Sequence, residues 1–118
     1  MKKKDKHILK RMLDETKIIS DKMNILNEKD FLDDLFVQRG IVMGMLIIGE
    51  LAKNLDSELQ QKYTDVPWRS IKGLRDVAAH GYASLEMQDI WVTATKHIPA
   101  LEQELQAIME KEKDMEDS

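Results

Sequence analysis

The sequence predicts an all-α fold, an antiparallel bundle of four long or medium helices plus a short one. Strand signals are nearly absent: only 5% of residues are aromatic and no stretch alternates convincingly with period 2. Helical spacing runs through the chain instead. Ile8, Met12, Ile19 and Met23 recur at near-helical intervals, flanked by Leu9, Leu13 and Thr16, which gives an amphipathic first helix over about residues 5–26. Asp30 is the cap expected for a second helix, whose stripe is Phe31, Leu35, Val42, Met45, Gly49 and Ala52. Residues 41–48 are apolar all round, so this helix should be surrounded by protein; the run is too short to cross a bilayer. Gly40, Gly44 and Gly49 lie inside it at a cost in helix propensity, toward one side. Close approach of another helix, of the same chain or of a second copy, accounts for them.

Asp56 or Ser57 starts a short helix that ends at Lys62, and Tyr63–Pro67 reads as a break. With Asp65 as cap and Pro67 in the first turn, a helix follows over about residues 67–79, and Gly81 is its expected stop. Ser84 opens the last helix, to about residue 111, with a kink or break expected at Pro99. Its apolar positions are Ile90, Thr93, Ile98, Leu101, Leu105 and Ile108.

A length of 118 residues suits one domain with a genuine core, and 42% apolar with 34% charged residues suits a globular protein. The basic N-terminus (about 1–5) and the charged C-terminal tail (about 111–118) read as solvated, frayed ends. No cysteine is present, which excludes disulfides and thiolate metal sites. No N-terminal segment has a signal peptide's apolar core, and a cytoplasmic protein with no membrane partner is expected. A net charge of −4 argues against broad electrostatic capture of nucleic acid but leaves room for a local phosphate site.

The stretch Leu74–Tyr82, LRDVAAHGY, is such a candidate. On a helical wheel Ile71, Leu74 and Ala78 face the core, and Arg75 lies about 40° off Ile71 at the edge of that stripe. Asp76 and His80 are four apart and can meet, which would orient the ring and favour imidazolium. Arg75 and His80, five apart, point about 140° from each other on a straight helix. Either the helix ends before His80 or a second copy completes the site, a two-fold dimer bringing two of each together. Arginine grips phosphate through paired hydrogen bonds, and histidine moves a proton near neutral pH. Without a metal, the two suit RNA cleavage by its own 2′-hydroxyl. Arg69 and Lys72 extend a basic arc toward Arg75 and are further candidates for phosphate or RNA contact. Glu50, a charge in the apolar helix, either holds Arg75 or Lys72 or faces outward near the helix end. His7 and His97 read as plain surface histidines. No two histidines stand at i,i+4, so no metal site is expected, and no glycine-rich phosphate loop is present. Met12, Met23, Met43 and Met45 read as core or dimer-face fillers.

The segment Val66–Tyr82, with its R-x4-H-x-Y pattern, resembles the signature of HEPN-domain proteins of the HepT-like toxin family. Gly49–Ala52, Ile90-Trp91 and Ile98–Leu101 also look like that family, so the resemblance spans most of the chain. It implies an all-α, usually dimeric domain with Arg75 and His80 of both chains in an interface cleft. It implies a metal-independent endoribonuclease needing no cofactor, the toxin of a type VII-like toxin–antitoxin pair. The antitoxin would be a minimal nucleotidyltransferase that transfers AMP from ATP onto Tyr82, placing a bulky anion two residues from His80. Such proteins more often carry asparagine after the motif arginine; here Asp76 sets a carboxylate beside the phosphate site. A non-catalytic HEPN module that binds a nucleotide or presents Tyr82 to a nucleotidyltransferase is the alternative.

Overall fold

The computed structural model describes residues 1–117. Helix α1 (Lys3–Met23) buries Leu9, Met12, Ile19 and Met23 along one face. Asn27 Oδ1 accepts the Asp30 N–H at 2.8 Å and starts α2 (Glu28–Asp33), so Asp30 lies inside the first turn and is not the cap. The single helix expected from Asp30 to Ala52 is two. Asp34 takes an extended backbone (φ −115°, ψ 97°), and its carboxylate accepts the Val37 N–H to start α3 (Leu35–Ala52). Buried Gln38 then donates from Nε2 to the Phe31 and Leu32 carbonyls, at 2.9 and 3.0 Å, satisfying the open end of α2.

Helix α3 is the central element and packs against both α1 and the later helix formed by Leu74–Ala83. Over its 18 residues, at mean hydropathy 1.6, it is long and apolar enough to cross a membrane by length and composition alone. Here that composition serves a protein core: Ile41, Val42, Met45, Ile48 and Ala52 are buried. Two of its three glycines mark close approach within the chain. A Cβ on Gly44 would lie 2.9 Å from Ile19 Cδ1 of α1, and one on Gly49 would lie 2.9 Å from the Arg75 backbone nitrogen. Gly40 faces open space.

Helix α4 (Ser57–Lys62) is tied to α1, because buried Asp5 accepts the Asp56 N–H at 3.1 Å. The Asp56 carboxylate takes Lys2 and Lys4, at 2.7 and 2.9 Å, and makes no capping bond within α4. The expected 67–79 helix is also two, α5 (Trp68–Lys72) and α6 (Leu74–Ala83), meeting at Gly73. Pro67 occupies the cap position of α5, and no side chain, Asp65 included, caps it. Gly81 does not stop α6. The stop is Leu85, at φ 61°: the Glu86 N–H bonds the Gly81 carbonyl (2.8 Å) and the Leu85 N–H bonds the Tyr82 carbonyl (3.4 Å), a Schellman closure. Gly81 instead lies tight against Ile90: a Cβ there would come within 2.9 Å of its Cδ1, which would have to shift.

The last helix opens at Met87, not Ser84. It runs as α7 (Met87–Val92), one π-helical turn (Thr93–His97) and α8 (Ile98–Asp117). The irregularity expected at Pro99 is this wide turn, just before the residue that lacks an N–H. Thr93 and Thr95 hydroxyls donate to the Asp89 and Trp91 carbonyls there. Near the end of α8, buried Glu112 accepts from Lys62 Nζ and Tyr63 Oη, both at 2.7 Å. Burial pushes the Glu112 carboxyl up, but these two bonds outweigh it and hold it below its ordinary 4.5. Burial, then the bond to Glu112, pushes Tyr63 up to about 12.

Glu112, depressed, adds stability present above its unfolded pKa and lost as pH falls through the folded value. Tyr63, raised, adds stability lost as pH rises from about 10 toward about 12. In denaturant titrations, Glu112→Gln should cost about 1–3 kcal/mol at pH 7. The gap from wild type should narrow toward pH 3, and Tyr63→Phe should flatten the alkaline loss.

Candidate functional site

Helix α6 carries Arg75, His80 and Tyr82 on one regular stretch, because Leu74 and Ala78 are buried and Gly81 lets it lie against Ile90. Since α6 continues to Ala83, the divergence read from the wheel stands: Arg75 and His80 point about 140° apart. Arg75 and Tyr82, seven residues apart, fall within about 20° of each other on the side facing α3. His80 and Tyr82 lie on nearly opposite sides. The Tyr82 hydroxyl thus stands on the Arg75 side of its own helix, away from that chain's His80.

The contacts follow these directions. Arg75 Nε lies 3.1 Å from Glu50 Oε1, both side chains about half exposed (54% and 52%). Glu50 therefore faces outward near the end of α3 and also holds Arg75; it pairs with Lys53 at 3.4 Å as well, and not with Lys72. His80 is 76% exposed, and its Nε2 lies 3.5 Å from Glu86 Oε2, an ion pair when the ring is protonated. Glu86, just past the Leu85 stop, takes the place expected for Asp76, which has no ion pair among the described residues. The basic arc is split at Gly73. Lys72 turns toward α4 and donates to Gln60 Oε1 at 2.7 Å, while Arg69 borders a groove with Ser57, Gln60 and Thr64. His7 is exposed on α1, and His97 lines a separate groove of about 450 Å³ with Ser70, Leu74, Leu101 and Glu104. Burial raises the Glu104 carboxyl there.

Sequence reasoning missed one residue. Arg39, on α3, donates from Nε to Tyr82 Oη at 3.0 Å. A signal was present: Arg39 stands eleven residues before Glu50, about 20° from it on the wheel, so the two charges share one side of α3. Among the described residues, no group of three His, Asp or Glu side chains converges as a metal site would.

Comparison with known proteins decides the family. A family model described as "Ribonuclease HepT-like" matches residues 12–108. The chain belongs to the HepT-like ribonuclease family. Among its relatives, "Putative RNase TTE0752" of Caldanaerobacter subterraneus subsp. tengcongensis is 36% identical over 105 residues, covering 89% of this chain and 94% of the relative. "Probable ribonuclease HepT" of Thermococcus cleftensis is 28% identical over 101 residues, 86% of this chain and 92% of the relative. "Gamma-glutamylcyclotransferase and putative RNase MJ0434" of Methanocaldococcus jannaschii is 32% identical over 111 residues; the match covers 94% of this chain and 50% of that protein. No solved structure matches the chain. Membership in the HepT-like family makes the chain an enzyme whose substrate is RNA.

Two substitutions test the local architecture. Leu85 is 83% exposed at positive φ, so Leu85→Gly should raise stability by about 1 kcal/mol and leave the α6 stop in place. Gly49→Ala should do the opposite despite its better helix propensity. Its methyl group meets backbone of α6, and a net loss of about 1–2 kcal/mol is expected in thermal unfolding.

Proposed function

We propose that the protein is a metal-independent endoribonuclease toxin whose active site is shared by two copies of the chain. Arg75 of one chain binds the scissile phosphate and stabilises the charged phosphorane; His80 of the other moves the proton. The 2′-hydroxyl loses its proton to histidine and its oxygen attacks phosphorus. The 5′-oxygen leaves with the bonding electrons and takes a proton from the imidazolium so formed, and a 2′,3′-cyclic phosphate forms. The observation that carries the shared site is the divergence of Arg75 and His80 on an unbroken helix, both exposed.

A second copy also has a surface to meet. Ile18 of α1, Ile25 in the turn that follows it and Phe36 of α3 are exposed, Phe36 at 86%, around a groove of about 470 Å³ that includes Gly40; Met43, farther along α3, is exposed as well. Regulation fits the same helix. A minimal nucleotidyltransferase antitoxin would transfer AMP from ATP to Tyr82: the phenolic oxygen attacks the α-phosphate, pyrophosphate leaves, and the phenolic proton passes to a base on the transferase. Set against catalysis are the carboxylates around the motif, Glu50 on Arg75, Glu86 beside His80 and exposed Asp76, which favour a non-catalytic interaction module as the second reading.

Purified protein with a chelator present should cleave RNA. Single substitutions Arg75→Ala and His80→Ala should each reduce the rate by about 10²–10³. Coexpression of the two inactive variants should restore about a quarter of wild-type activity, since half the dimers are mixed and each mixed dimer keeps one intact site. No recovery would refute the shared site; no cleavage by the unmodified wild type would favour the non-catalytic module. Incubation with ATP and the transferase should add the mass of AMP, and Tyr82→Phe should abolish that gain.

A further inference from the structure

We infer that Arg39 and Tyr82 form a nucleotide subsite next to the cleavage centre, Arg39 taking a phosphate of the RNA strand and the Tyr82 ring taking the adjoining base. The inference rests on the ribonuclease reading and adds Arg39 to it as an RNA-contact residue. Arg39 projects from the central helix at an exposed position, and among the described residues no carboxylate pairs with it. Arg75 and Arg11, by contrast, each hold a glutamate. The Arg39 bond is to a hydroxyl and not to a carboxylate, so no acidic side chain competes for the guanidinium. Only Nε is engaged with Tyr82 Oη, which leaves the Nη edge of the guanidinium for paired hydrogen bonds to phosphate.

Tyr82 supplies the other half of a nucleotide-binding pair. Its ring is half-buried against the core, which fixes its orientation, and its hydroxyl is held by Arg39. Unpaired RNA bases are commonly bound by stacking on an aromatic ring while a cation tracks the backbone. Tyr82 and Arg75 share one side of α6 about 10 Å apart along the axis, close enough for neighbouring nucleotides of one strand to engage both. The contacts Glu50–Arg75 and Arg39–Tyr82 tie α6 to one side of α3, so the two guanidinium groups border a single surface. An AMP group carried on Tyr82 would occupy this subsite, its phosphate against Arg39.

The test separates binding from chemistry and from folding. The probe is a single-stranded 2′-O-methyl RNA, which cannot be cleaved by 2′-hydroxyl attack, titrated across a salt series. Arg39→Gln should weaken binding about tenfold and lower the slope of log affinity against log salt by about 0.7, the share of one phosphate contact. On cleavable RNA it should raise KM while kcat changes less than about threefold, with the melting temperature unaltered. Arg39→Lys should recover the salt slope. Tyr82→Leu should weaken binding about tenfold, and Tyr82→Phe, which keeps the ring, by less. Lys10→Gln removes the same charge from an exposed position on α1 and sets the background effect. If the wild type cleaves RNA and Arg39→Gln behaves like Lys10→Gln, the subsite is wrong and the ribonuclease reading stands. If Arg39→Gln lowers kcat and melting temperature together with KM unmoved, Arg39 is only a strap between helices. If the wild type neither binds nor cleaves RNA, the subsite and the ribonuclease reading fall together.

Discussion

The contact on which the site depends is the approach of α6 to α3 at Gly49. A hydrogen in place of a methyl group there lets the Arg75 backbone come against α3, and no other residue type would leave that space. Everything on the α3 side of α6 is then within reach of α3 side chains. Glu50, the next residue, meets Arg75; Arg39, on the same stripe of α3, meets Tyr82. A separation larger by one methyl group would loosen both. The glycine costs helix propensity within α3, and the close packing of two helices offsets that cost.

The same regularity that brings Arg75 and Tyr82 together sends His80 elsewhere. Had α6 ended at Gly81 in an αL turn, its last turn could have swung the imidazole back toward Arg75. Instead the helix runs on, and the left-handed position falls to Leu85, a residue that pays a steric penalty there and buries little. The closure of α6 places Glu86 beside His80, so the histidine is engaged at its own end of the helix and not across it. A site that needs both groups on one phosphate must therefore draw them from two helices.

Much of this was legible in the sequence, for identifiable reasons. Helical class, the core positions Ile71, Leu74 and Ala78, and close approach at Gly44 and Gly49 all follow from local spacing, and local spacing is what a sequence states directly. The Glu50–Arg75 pair was one of two open readings because a charge in an apolar helix demands a partner. The errors lie where local signals compete. Asn27, Asp30 and Asp34 can each cap a helix, and the stripe of Phe31 and Leu35 runs unbroken across the extended residue that separates α2 from α3. Gly73 and Gly81 look alike as breakers, yet one joins two helices and the other serves packing against Ile90. Leu85 has no turn signature at all. The bond from Arg39 to Tyr82 spans 43 residues and depends on the α3–α6 approach, which spacing within either helix does not reveal.

The ion pairs divide in a way that bears on how an acidic chain handles RNA. Glu112, buried at 3% exposure, is bonded to Lys62 and Tyr63, and removing any member leaves a desolvated charge or hydroxyl. Glu50–Arg75 and Glu86–His80 are instead exposed on both sides, where such pairs contribute about 0–1 kcal/mol. A phosphate that displaces Glu50 from Arg75 thus gives up little, and gains a charge-assisted contact of the paired kind that arginine favours. On the proposed reading, Glu50 and Glu86 would be easily displaced by an anion, because both pairs are exposed and weak. The net charge of −4 argues against capture of nucleic acid over the whole surface, so on the proposed reading contact with RNA would rest on local cations such as Arg75 of α6 and Arg39 of α3.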